Sequence, residues 1–195
     1  MATKHEAIGR PADEELTARI LDETRSQLIE NGYAGLKIDR IVRAVGCGKS
    51  AVYRRYPDKA ELVAAAILHV AELGQPPDTG SVREDLLIHA QQNQRTQSDS
   101  GTRAIGLVLF DPDVFPLVWD RFLSHRRDAG VNILERAIAR GELPPNAALD
   151  IILDSIAGLT LYRRTVKGHT IALDDYRGVI DAFILHPPLR TTTET

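Results

Sequence analysis

A single cysteine, Cys47, leaves this chain no partner for an intramolecular disulfide and too few thiolates for a cysteine-only metal site. No apolar run approaches the roughly 18 residues that suggest a membrane-spanning helix. The opening stretch, residues 1–15, lacks the apolar core of a signal peptide. No segment alternates apolar and polar residues over a useful length, and no internal repeat is visible. Nor does spacing recommend a Ser-His-Asp set, a carboxylate pair or a metal-ligand group, since His69, His89 and His125 fall at no metal-binding interval. These absences argue against an enzyme, a membrane protein and a secreted scaffold. With 195 residues, 43% of them apolar, the chain has material for a genuine core in one compact unit or two small ones. It is expected to be cytoplasmic and to need no cofactor.

The informative stretch runs from Asn31 to Lys59. Ile38, Ile41, Val42 and Val45 form one apolar face at helical spacing, which predicts a helix over 38–45. Gly46-Cys47-Gly48 supplies a tight turn in which positive φ costs little. A second helix is expected from Lys49 to about Arg55, burying Val52. Two helices this short need a third element beneath them. The pattern is a helix-turn-helix, whose second helix enters the major groove of DNA. Charge agrees with it. Between Lys37 and Lys59 there are seven cations and only Asp39 and Asp58 as anions, a local +5 in a chain of net −3. A basic patch on an otherwise acidic protein is suited to phosphates.

Gly32-Tyr33, Ile41-Val42, the run from Val45 to Tyr53, and the run from Arg55 through Lys59-Ala60-Glu61-Leu62 resemble in order the DNA-binding domain of TetR/AcrR-type regulators. The likeness covers about a quarter of the chain. It departs from the family pattern at Val45, Cys47 and Gly48, so the second helix lacks a hydroxyl N-cap, a loss of a few tenths of a kcal/mol when glycine replaces serine. Arg55-Tyr56 stands where the family has His-Phe. The resemblance implies DNA contacts at Lys37, Arg43, Lys49, Ser50, Ala51, Tyr53, Arg54 and Lys59. Lys49, Ser50 and Ala51 begin the reading helix, where base edges are met. Tyr53 and Lys59 match phosphate-holding positions, and Lys37, Arg43 and Arg55 position rather than specify. Tyr53 has a competing core role. The Gly-Lys-Ser at Gly48-Lys49-Ser50 is not a phosphate-binding loop, because Arg43 occupies the site of the motif's first glycine and a helix precedes it.

The chain is therefore expected to be all-α, an N-terminal three-helix helix-turn-helix DNA-binding domain followed by a helical ligand-binding and dimerisation domain. Residues 1–12 read as a flexible arm, 13–60 as the DNA-binding domain, 61–186 as the second domain and 187–195 as a disordered tail. Asp13, Asp58, Ser81 and Asp113 are the expected helix caps. Gly74 to Gly80 marks the clearest break. One long helix is expected from Asp113 to Arg140. In the last two helices, Ile152, Ile156, Leu159, Val179, Ile180 and Phe183 are candidates for a homodimer interface, with cover for the chain's own core as the alternative. Leu86, His89, Phe110, Phe115, Trp119, Phe122 and Tyr162 are candidates for a pocket with apolar walls and a few polar handles. The partners expected are double-stranded DNA bearing a short inverted repeat, a second copy of the chain, and a small apolar or amphipathic effector. The resemblance implies a repressor released by that effector. A regulator of the same fold controlled by a protein partner, or constitutive, is the alternative.

Overall fold

The computed structural model describes residues 9–71, 73–95, 106–108 and 110–190. Regular structure among them is helical, and the chain divides into two compact units. The first holds the chain up to Val70 together with Leu107–Val118; the second holds Ala71–Gly106 and everything from Trp119.

In the first unit, α1 spans Gly9–Gly35, with Gly32 at φ 66° breaking its helical geometry, as the Asn31-Gly32 stop predicts. It starts ahead of Asp13, the expected cap, because Pro11 falls in the first turn, where proline lacks nothing the helix needs. Residues 9–12 of the expected arm are thus helical, and 1–8 lie outside the described residues. Next come α2 (Ile38–Val45), α3 (Lys49–Tyr53) and α4 (Lys59–Leu68). Gly46 ends α2 at φ 74°, whereas Gly48 is extended at φ −85°, so only the first glycine of the turn uses its special freedom. Asp58 caps α4 by accepting the Glu61 amide at 2.9 Å. Ile20, Leu28, Ile41, Val52, Leu62 and Val63 are wholly buried and form the core of this unit. The short α6 (Phe115–Val118) packs on α4 through the buried Val114 and Val118.

The second unit contains α5 (Val82–Arg95), α7 (Ser124–Ala139), α8 (Leu149–Thr165) and α9 (Leu173–Leu185). The single helix expected from Asp113 to Arg140 is interrupted. A π-helical turn, Trp119–Leu123, separates α6 from α7, and Gly141 at φ 78° closes the run. Ser81 stands at the cap position of α5, its carbonyl accepting the Asp85 amide at 2.9 Å. The Val82 amide is held by the Glu142 carboxylate at 2.8 Å, and the buried Asp85 accepts both the amide and the hydroxyl of Thr79. The tail is also more ordered than expected. The Ala148 amide donates to Pro188 O and the Arg190 amide to Asn146 O, which fixes residues 187–190 through backbone alone; 191–195 lie outside the described residues. The expected helix at 102–110 is described only over 106–108, which are helical.

Two buried polar clusters sit in this unit. Thr160 Oγ1 donates to Ile156 O and therefore accepts the 2.7 Å bond from the Tyr176 hydroxyl. Arg126 donates to Leu73 O, Gln92 Oε1, His89 O and, at 3.1 Å, His89 Nδ1. A guanidinium can only donate, so Nδ1 must carry a lone pair and the ring must be neutral. Burial, and then the Arg126 charge, push the His89 pKa down to about 3. Its ordinary value is 6.5, so the unfolded chain takes up a proton that the native ring refuses as pH falls from about 6.5 toward 3. The contribution of His89 to native stability is accordingly fully present above pH 6.5 and is lost through that window. His89→Gln, measured by urea midpoints at pH 7, 5.5 and 4.5, is expected to lose less stability on acidification than the natural chain. Equal losses in both would contradict a neutral, buried His89.

Candidate nucleic-acid interface

The reading helix α3 has five residues, far too few to be stable in isolation. What holds it is the buried Val52 on one side and a set of inward-turned guanidiniums on the other. Arg55 donates from Nη1 to Ala51 O at 2.7 Å, from Nε to Thr17 Oγ1 at 3.0 Å, and from Nη2 to the Asp13 carboxylate. Thr17 in turn donates to Asp13 O, so the α1 end of this network is closed. Arg19 reaches Val45 O at the end of α2. The helix-turn-helix is thus clamped to α1 by charge-assisted bonds at both of its short helices. Sequence reasoning gave Arg55 a positioning contact to DNA; in the structure its side chain is 11% exposed and positions α3 from behind.

Lys37, Arg43, Lys49, Ser50, Tyr53 and Arg54 are exposed, and Ala51 is half-buried. Tyr53, at 48% exposure, takes no core role, and Val52 fills the interior in its place. Lys49 Nζ lies 2.5 Å from Asp39 Oδ1, a pair that joins α2 to α3 across the turn. The carboxylate's hydrogen bond and charge raise the Lys49 pKa. Lys59 is half-buried and sits 4.3 Å above the Tyr33 ring. The Tyr33 hydroxyl pKa is raised by burial and by Asp111, Asp113 and Asp58. Arg54 stays outward with a 3.9 Å approach to Asp13. Among the described residues no group of three or more His, Cys, Asp or Glu could hold a metal.

Of the candidate pocket residues, Phe110 and Phe115 belong to the first unit, and Leu86, His89, Trp119, Phe122 and Tyr162 to the second. Leu86 is plain core at 1% exposure, His89 is engaged by Arg126, and Tyr162 lies on the outer face of α8. An open groove of about 640 Å³ runs between Pro76 and the outer face of α7, past His125, Asp128, Asn132 and Glu135, and none of the seven lines it. Of the dimer candidates, Ile152, Ile156 and Ile180 are buried in their own chain's core, which removes them from any interface, while Leu159, Val179 and Phe183 are half-buried at its edge. The apolar stripe of each helix is the stripe its own fold consumes.

The first unit presents a basic, exposed reading helix clamped on a helical base, and comparison with known proteins identifies it. Residues 20–66 match the model of bacterial regulatory proteins of the tetR family. Residues 76–183 match the tetracyclin repressor-like C-terminal domain. The chain belongs to the TetR family. It is 32% identical over 177 residues to an uncharacterized HTH-type transcriptional regulator of Mycobacterium tuberculosis, covering 89% of this chain and 88% of that one. The DNA-binding transcriptional repressor TetR of Mycobacteroides abscessus is 28% identical, over 82% of this chain and 85% of its own. Among solved structures, the TetR family transcription regulator SCO0332 aligns with TM-score 0.60 at 23% identity, over 87% of this chain and 97% of that one. Salmonella enterica GusR aligns with TM-score 0.64 at 16% identity, over 88% and 96%. The protein is a DNA-binding transcriptional regulator rather than an enzyme. Among the described residues no helix is long and apolar enough to cross a membrane.

If the α1 clamp sets the pose of α3, Arg55→Ala should destabilise the chain by about 2 kcal/mol through its lost charged hydrogen bonds. It should weaken operator binding beyond the loss of one surface charge. Salt-dependent binding separates the two roles: the slope of log K against log salt is expected to stay unchanged, because Arg55 touches no phosphate. A slope shallower by about one unit would return Arg55 to the DNA surface.

Proposed function

We propose that this chain is a homodimeric repressor that binds a short inverted repeat through the exposed face of α2 and α3 and leaves it when a small apolar or amphipathic molecule binds the second unit. Lys37, Arg43, Tyr53, Arg54 and Lys59 hold phosphates, and Lys49, Ser50 and Ala51 meet the groove, with Ala51 suited to a thymine methyl. The protein acts in the cytoplasm, where its DNA is.

The observation that carries the dimer is the outer face of α8 and α9. On α8, Ile151, Gly158 and Tyr162 are exposed, with Ser155 half-buried between them; on α9, Gly178, Ala182 and Leu185 are exposed. A Cβ at Gly158 or Gly178 would meet nothing within 4 Å in its own chain. Glycine inside a helix costs roughly 0.5–1 kcal/mol relative to alanine. This fold does not need these two glycines, but a second copy approaching closely does. Two copies also match the two half-sites of an inverted repeat. Repression is supported by the Mycobacteroides abscessus relative, a DNA-binding transcriptional repressor.

Release is supported by how the chain is threaded. Leu107–Val118 packs within the first unit, on α4, while the chain on either side of it belongs to the second. The return crossing, Val118 to Trp119, coincides with the start of the π-helical turn. Such turns are uncommon and gather at functional positions. A ligand that favours one setting of the second unit is thereby linked to α4 and the reading helix, provided it binds the two settings unequally.

Gly158→Leu tests the dimer face without touching the core. The substitution is expected to keep the helical circular dichroism of the natural chain. It should raise the dimer dissociation constant about tenfold or more in sedimentation experiments, from overpacking at the contact, and weaken operator binding in parallel. Ile180→Glu, in contrast, should unfold the second unit. A Gly158→Leu protein that stays dimeric and binds with full affinity would remove this face from the interface.

A further inference from the structure

Asp39 is out of place on a phosphate-binding surface. It is the one carboxylate between Lys37 and Arg55, it is exposed, and the ion pair it makes with Lys49 at 2.5 Å leaves both side chains facing solvent, at 61% and 58% exposure. An aspartate in that position is repelled by the DNA backbone, and it withdraws one lysine from phosphate binding. An exposed ion pair contributes little to stability, so holding α2 against α3 is a weak reason for it. That work is already done by Arg19, Arg55 and the buried Ile41, Val45 and Val52.

The chemistry of the pair fits a different partner. In the major groove, guanine offers the acceptors O6 and N7, and cytosine offers the N4 amino donor. The two edges lie side by side on a single G·C base pair. A lysine ammonium beside a carboxylate is the complementary arrangement, donor against acceptor and acceptor against donor. From this arrangement we infer that Asp39 and Lys49 act together as a reader of one G·C pair in each half-site, with Lys49 on guanine and Asp39 on cytosine. Asp39 also lowers affinity for unrelated DNA, because its cost to the phosphate field is recovered only where a cytosine amino group is in reach. The inference rests on the proposal that this face binds DNA sequence-specifically, and it gives Lys49, at the start of the reading helix, one particular base to read.

The test is selection from a pool of randomised duplexes by the natural dimer, by Asp39→Asn and by Lys49→Met, followed by binding titrations on the selected duplex and on an unrelated one at several salt concentrations. Asp39→Asn keeps the side chain's size and removes its charge, and thermal melts confirm that each variant is folded. The natural protein should select a motif with one strongly preferred G·C pair in each half-site. Asp39→Asn should lose about tenfold of that preference at that pair alone. It should also bind the unrelated duplex more tightly, with a salt slope steeper by about one unit as Lys49 is freed for a phosphate. Lys49→Met should lose the same position. A selected motif that Asp39→Asn leaves unchanged at every position overturns the inference while leaving sequence-specific binding intact. No motif for the natural protein overturns both.

Discussion

The structure depends on how a helix of one and a half turns is kept in place. Five residues from Lys49 to Tyr53 cannot hold helical geometry in water, and yet they carry the side chains proposed to read DNA. Val52 gives α3 an apolar root, but a single side chain leaves the helix free to rotate about it. Arg55 removes that freedom by bonding at once to Ala51 O, one helical turn back, and to Thr17 and Asp13 on α1. A residue from the most basic stretch of the chain is spent on the interior face, and the outer face is left to Lys49, Ser50, Tyr53 and Arg54. Rigidity of the reader and chemistry of the reader are thus supplied by different members of one short basic run.

Where the sequence carries a periodic or conformational signal, the structure agrees with it closely. The apolar spacing of Ile38, Ile41, Val42 and Val45, closed by Gly46, sets α2 to its observed ends, and Asp58 caps α4 as its position suggests. The order of small motifs around them identifies the family, which the matches over 20–66 and 76–183 establish. Periodicity, however, reports burial and not partnership. Ile152, Ile156 and Ile180 stand out as an apolar stripe because their own chain buries them, whereas the face proposed for a second copy carries Gly158, Gly178 and Ala182, which hydrophobicity does not register. The same limit explains Leu86, which is plain core.

Other features left no trace in sequence because they are made of backbone or of long-range pairing. The pairing of Pro188 and Arg190 with Ala148 and Asn146 uses amides and carbonyls that every residue possesses. The start of α5 is satisfied by Glu142, sixty residues away, and no local pattern predicts that reach. Which of seven cations turns inward is likewise undetermined by composition: Arg54 and Arg55 are adjacent, alike and both near Asp13, yet the helical register leaves the first exposed and buries the second. The π-helical turn at Trp119–Leu123 falls within a segment that reads as uninterrupted helix, and it lies where the chain passes from one compact unit to the other.

The central claim is that two copies of this chain read a two-fold symmetric site through α3. The most direct measurement is selection of genomic fragments by the purified protein at near-physiological salt, followed by sequencing. Enrichment of one short inverted repeat, with half-sites about one helical turn or a multiple of it apart, is the predicted result. Enrichment of a single unrepeated half-site would contradict the two-copy account, and no enrichment at any salt would contradict sequence-specific reading by this surface.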